Sequence, residues 1–288
     1  MKYPGILGSS FAGTVIEVGP DVKDFAPGDK VACNRPDYGF EDSRYGAYQR
    51  YAVASVRETS KLETNTSIED GAAVILNLAA AVAAMTIHLR LDRPPLKGQA
   101  PWKGKKVLVY GGSSSCGGYA VRYAVDAGYD VVTTSSPKNR GFVQTLGPIA
   151  VLNHTESSDT IVSALEANGP YDAIFDSIGL PSVTNVFLDY FGDKGGEYVT
   201  LLPPLGGEKP IPSNVNRRFG SYIQALVEEA NEELGQWFYE QYVPQALDSG
   251  RIIPTRQIRV EGGLGKVQEC INRMGPGGIS GHKLIMPL

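Results

Sequence analysis

The stretch VLVYGGSSSCGG, residues 107–118, decides the fold. Four strand-forming residues, Val107 to Tyr110, run into a series of small residues, and helical spacing follows from Gly117 to Ala127. A strand that turns through glycines and serines into a helix lets the backbone approach a pyrophosphate closely. It also points the first helical N–H groups at the anion. The strict form of such a turn is G-x-G-x-x-G, and the comparable frame here is Gly112-x-Ser114-x-x-Gly117, with serine in the middle. Gly112, Ser113, Ser114, Ser115, Cys116 and Gly117 are therefore the expected phosphate-facing residues. The plainer alternative is a tight strand-to-helix turn that holds no ligand.

Outward from this turn the pattern alternates. Strands are expected at 106–110, 129–134, 149–152, 171–175 and 196–202, and helices at 117–127, 139–146, 158–167 and 182–191. That order implies a parallel sheet covered on both faces, a Rossmann-type dinucleotide-binding domain. The end of the second strand selects the cofactor. An NAD-selective site carries an acid there for the ribose 2′-OH, but residues 133–140 read TTSSPKNR. Ser135, Ser136, Lys138 and Asn139, with Arg140 beside them, suit a 2′-phosphate instead, so NADPH is expected over NADH; the alternative is a solvated turn. Asp176, Leu202 and Pro203 follow later strands and are candidate linings for the nicotinamide half. Asp176 is equally well read as a turn former.

The flanks differ. Short β runs at 13–18, 30–32 and 48–53 are separated by Gly, Pro and Asp turns, with a polar loop at 37–45. One or two helices are expected over 68–91, capped by Ser67, with Glu69 and Asp70 in the first turn. A loop over 203–216, a long amphipathic helix over 221–249, and short β runs at 257–260 and 283–286 around a helix at 264–274 complete the chain. The division this suggests is a β domain, 1–75 completed by 256–288, and a dinucleotide-binding domain, 76–255. Net charge is −4 without a lysine or arginine run, which argues against nucleic acid or a membrane surface as partner. The apolar stretch 72–87 is interrupted by Asn77 and reads as too short to span a bilayer. No signal-peptide pattern opens the chain, and Cys33, Cys116 and Cys270 lie far apart, so a cytoplasmic protein without metal or disulfides is expected. His88, His154 and His282 are isolated.

With these pieces in order, the chain resembles the medium-chain dehydrogenase/reductase superfamily. More narrowly, it is similar to the zinc-free fungal branch that contains the trans-acting enoyl reductases of polyketide synthases. The resemblance rests on ILGSSFAGTVIEVG (6–19), PGDKV (27–31), YGGSSSCG (110–117), SPKN (136–139) and GISGHKL (278–284), which together span nearly the whole chain. It implies a GroES-like β domain beside the Rossmann domain, with the last strands returning to the β part. Three departures stand out. Met1 falls just before the family's G-x-x-F-x-G region, so the GroES-like domain is expected to be incomplete and the chain N-terminally truncated. Ser9 and Ser10 stand where the zinc-dependent branch has a His-Glu pair. Ile75, Ala80 and Thr86 stand at the Pro, Thr and Tyr positions of the cleft helix, and alanine there removes a hydroxyl near the nicotinamide.

The function this implies is NADPH-dependent reduction of an activated alkene, with a small apolar or acyl-type substrate and a polyketide synthase as partner. The enolate formed would need backbone N–H groups or a hydroxyl to hold it. Asn77, Thr86 and Tyr110 are the candidate catalytic residues. Tyr45, Tyr48 and Tyr51 are further donors, although the strand pattern around Tyr48 and Tyr51 suits plain packing better. Two alternatives stay open: a non-redox cyclase or isomerase on the same scaffold, and a non-catalytic nucleotide-binding protein. Uncovered strand edges in an incomplete β domain lead to the expectation of a symmetric homodimer.

Overall fold

The computed structural model describes residues 4–220, 222–275 and 279–288. Met1, Ser221 and Gly278, which the sequence reading uses, lie outside them. The chain opens with strands β1 (Ser10–Thr14), β2 (Lys30–Asn34) and β3 (Thr59–Lys61), then helix α1 (Ile68–Val82). Next come β4 (Lys106–Tyr110), α2 (Ser115–Asp126), β5 (Asp130–Ser135), α3 (Arg140–Thr145) and β6 (Ala150–Asn153). They are followed by α4 (Ser158–Asn168), β7 (Ala173–Asp176), α5 (Pro181–Phe191), β8 (Gly196–Thr200) and β9 (Val215–Arg218). The last elements are α6 (Glu232–Gln236), α7 (Val243–Asp248), β10 (Gln257–Arg259), α8 (Val267–Arg273) and β11 (Lys283–Ile285). Two compact units result, Ala80–Tyr222 and Met1–Ala79 with Ile223–Leu288. Residues 223–255, which the sequence-based division places with the dinucleotide-binding domain, cluster with the other unit.

In the unit Ala80–Tyr222, six strands form a sheet in the order β6-β5-β4-β7-β8-β9, all pairs parallel. The chain runs outward from β4 to one edge, returns to β7 and runs to the other, so the order reverses between β4 and β7. Strands β4, β5 and β7 are buried almost end to end, as a sheet covered on both faces requires. On one face Leu108, Ile174, Phe187 and Tyr198 belong to a single apolar cluster, and the rings of Phe187 and Tyr198 stack at 4.9 Å. The expected loop 203–216 ends instead in β9, a sixth strand. Its sequence, VNRR, shows no apolar run because β9 is an edge strand held to β8 by main-chain pairing, Gly196 opposite Val215 and Tyr198 opposite Arg217.

The other unit has an antiparallel sheet, β1-β2-β3, and a parallel pair, β10-β11. The first β run lies at 10–14 rather than 13–18. The expected strand 48–53 is not one: Gln49 Nε2 donates to the carbonyls of Ser43, Arg44 and Gly46 and folds this segment into a loop. Tyr48 and Tyr51 are exposed there rather than packed. Of the expected helix 221–249, only 232–248 is continuous, through α6, a π-helical turn (Trp237–Tyr242) and α7. The preceding residues form 3-10 turns (Gln224–Val227, Glu229–Asn231). A side chain at Gly235 would overlap the carbonyl of Leu226, so that close approach is open to glycine alone.

Helix α1 starts as the sequence indicates, with the Asp70 N–H donating to Ser67 Oγ at 3.0 Å. Together with a closing π-turn, Ala83–His88, it forms a 21-residue segment, Ile68–His88. By length and composition this segment could cross a membrane, which corrects the reading of 72–87 as too short. Its most apolar window is 67% buried inside the protein, as in a core helix.

Candidate functional site

Gly111, at φ 92°, turns the chain out of β4. Its N–H donates to Thr134 Oγ1 and that of Gly112 to the Thr134 carbonyl, both at 2.9 Å, which ties the turn to β5. Ser114 caps α2: its Oγ accepts from the Gly117 N–H at 2.9 Å, and its carbonyl accepts from Gly118 at 2.8 Å. Among the described residues the N–H groups of Ser113, Ser115 and Cys116 have no acceptor. Open N–H groups at the start of a helix of this length carry partial positive charge and suit an anion. The glycines serve packing. A Cβ at Gly112 would overlap Thr133 Oγ1, and one at Gly117 would overlap the Gly111 carbonyl and Ser177 Oγ. Burial pushes the Cys116 thiol up to about 12, so this residue offers its main chain and not a thiolate.

The end of β5 lies beside this turn. Ser135, Ser136 and Asn139 are buried; Lys138 and Arg140 are exposed. Asn139 holds the turn, with its N–H donating to the Ser136 carbonyl at 3.0 Å and its Nδ2 to Ser136 Oγ at 3.3 Å. Ser135 Oγ is turned onto the Ser136 carbonyl at 3.1 Å. His154, read from the sequence only as an isolated histidine, also lies beside this turn. The His154 N–H, just past β6, donates to the Ser135 carbonyl at 3.4 Å, and its ring lies 6.5 Å from that of Tyr110. Its position directly after a strand parallel to β5 was the signal that could have found it.

Asp176, at the end of β7, is 0% exposed. Its Oδ1 accepts from the N–H groups of Ile178 and Gly179 at 2.9 and 3.0 Å, and its Oδ2 from Thr200 Oγ1 at 3.2 Å. Burial pushes this carboxyl upward, while those donors and the Arg217 charge pull it back. Its oxygens are thus spent on shaping the turn 177–179. Gly179, at φ 71°, packs directly against Leu202; Pro203 is exposed.

The residues 112–117, 135–139, 176 and 202–203 therefore meet at the carboxyl ends of β5, β4, β7 and β8, which are neighbours in the sheet. The three candidate catalytic residues are not gathered in this way. Thr86 Oγ1 is hydrogen-bonded to the Tyr123 hydroxyl at 2.7 Å. Tyr110 lies in the core with its ring edge-on to Phe187 at 5.7 Å, and burial, aided by the Asp176 charge, pushes its phenol up to about 12. Asn77 belongs to the other unit. Among the described residues no three His, Cys, Asp or Glu side chains form a group that could hold a metal.

Comparison with known proteins bears on this arrangement. Residues 1–64 match the alcohol dehydrogenase GroES-like domain family. The whole chain is 30% identical to a trans-enoyl reductase of Aspergillus japonicus, spanning 82% of that protein. It is 31% identical to a dehydrogenase of Aspergillus niger, again over its whole length and 83% of the relative. In fold it is similar to the quinone oxidoreductase from Coxiella burnetii, with a TM-score of 0.69 and 22% identity over 99% of this chain and 80% of that one.

Proposed function

Because the chain belongs to the medium-chain dehydrogenase/reductase superfamily, in its enoyl-reductase-like branch, we propose that it uses NADPH to reduce an activated alkene. The substrate is an α,β-unsaturated thioester or ketone of small apolar or acyl type. The turn between β4 and α2 carries this reading. Three open N–H groups begin a 12-residue helix beside a β5 turn that offers hydroxyls and an exposed lysine where an NAD-selective site has a carboxylate. The N–H groups of Ser113, Ser115 and Cys116 hold the pyrophosphate. Ser136 and Lys138 hold the 2′-phosphate, the ammonium through a charge-assisted hydrogen bond. The backbone at Leu202 and Pro203 faces the nicotinamide half. When bound, the cofactor supplies the hydride.

A binding titration tests the assignment. NADPH should bind at least about tenfold more tightly than NADH, and Lys138→Glu should remove most of that preference, since it deletes a contact of about 1.5–3 kcal/mol. Equal dissociation constants for the two cofactors in the unmodified protein would overturn it. A second reading, a non-redox cyclase or isomerase, is favoured by the Thr86 hydroxyl, which is committed to Tyr123, and by the alanine at position 80. Nicotinamide absorbance separates the two readings. Its loss during turnover of an unsaturated thioester supports reduction, and product without that loss supports the second.

A further inference from the structure

Leu202 lies two residues beyond the end of β8, where no sheet ladder holds it, yet the segment leading to it is gripped from several sides. The Leu201 N–H donates to the Asp176 carbonyl at 2.9 Å, and the Tyr222 hydroxyl donates to the Thr200 carbonyl. Gly179 abuts Leu202 so closely that a Cβ on the glycine would stand 2.6 Å from Leu202 Cβ. The grip on the Leu202 carbonyl itself comes from Arg217, whose Nη2 donates to it at 3.0 Å. Arg217 sits on β9 opposite Tyr198, four residues before Leu202, so its side chain must run past the end of β8 to reach that carbonyl. Its charge acts on the buried Asp176 carboxyl and on Glu208. The Nε is buried with no hydrogen-bond partner among the described residues, and the guanidinium, beside the Tyr198 side chain, is held by its Nη2 contact with Leu202.

We propose that Arg217 is a positioning residue for the nicotinamide half of the cofactor: it fixes the Leu202 peptide from the edge strand without touching the ligand. This rests on the reading that NADPH binds across the β4–α2 turn. The phosphate-holding residues lie in the β4–α2 turn, at the start of α2 and just past β5, so loss of Arg217 should leave the adenosine half undisturbed.

Two ligands separate the halves: NADPH, and adenosine 2′,5′-bisphosphate, which lacks the nicotinamide. Arg217→Met should raise the dissociation constant for NADPH about tenfold and leave that for the bisphosphate within about twofold, as expected for one lost charged hydrogen bond. Arg217→Lys, which keeps a charge and a donor on a long stem, should recover NADPH binding to within about threefold. If Arg217→Met does not fold, Arg217→Gln, neutral and shorter, carries the same comparison. Equal weakening of both ligands, or unchanged NADPH binding, overturns the proposal alone. Failure of the bisphosphate to bind the unmodified protein overturns the cofactor reading and the proposal with it.

Discussion

A methyl group on Gly117 would run into the carbonyl oxygen of Gly111, a main-chain atom that cannot rotate away, and into Ser177 Oγ. Overpacking of this kind costs about 1–3 kcal/mol. Gly117→Ala should therefore lower the melting temperature and, by shifting the start of α2, weaken NADPH binding. Gly13 is the control, because a Cβ there meets nothing within 4 Å. Gly13→Ala should change stability by no more than about 0.5 kcal/mol. Equal melting temperatures for the two variants in thermal denaturation would contradict the packing argument. At this scale the residue types were legible in the sequence, but which atoms were already engaged was not. The Thr86 hydroxyl is taken by Tyr123, 37 positions away, and Asp176 Oδ2 by Thr200, 24 positions away. No local pattern records such partners.

Helix α2 is the element on which the proposed function depends, and its cap can be separated from its ligand. Ser114→Ala removes the acceptor for the Gly117 N–H and the contact with Ser177 Oγ at 3.0 Å, and should cost about 1 kcal/mol of stability. Ser114→Asp keeps a capping oxygen and adds a favourable charge at the helix N-terminus, so stability should hold within about 0.5 kcal/mol. The same carboxylate would face the pyrophosphate, and NADPH affinity should fall at least about tenfold, the cost of about one unfavourable charge contact. Undiminished NADPH binding by the aspartate variant, measured alongside its denaturation curve, would place the phosphates elsewhere. Elements buried on both faces, such as β4, β5 and β7, were legible to within two residues because each carries strand-forming apolar or β-branched residues between breakers. Strand β9 was not, since an edge strand needs only main-chain pairing. The alternation at 48–53 misled because Gln49 ties the segment to the carbonyls of Ser43, Arg44 and Gly46 as a loop.

Across the whole molecule each compact unit contains a buried thiol, Cys33 in one and Cys116 in the other, and burial pushes both up to about 12. An unfolded thiol titrates near about 8.5, so the stability tied to each is fully present below that pH and is lost as pH rises toward the folded value. Lys283 opposes this. Burial lowers its ammonium to about 8, so its contribution grows with pH between there and the unfolded value of about 10.4. Two thiols against one ammonium leave a net loss of about 1.4 kcal/mol per pH unit between about pH 8.5 and 10. Denaturant melts across that range should show the fall, and the double variant Cys33→Ala, Cys116→Ala should lack it; a fall of the same slope in the double variant would rule the thiols out as its cause. The sequence by itself determined the α/β class, the order of strands and helices from residue 106 to residue 200, and the position of the turn between β4 and α2. Each of these is written in about a dozen consecutive residues, as an apolar run, a breaker or a small-residue turn. Tertiary structure alone decided that 223–255 pack with the β-rich unit, that β9 completes the sheet and that Arg217 holds Leu202. These features depend on contacts between residues of separate elements, and the periodicity of neither element encodes the other.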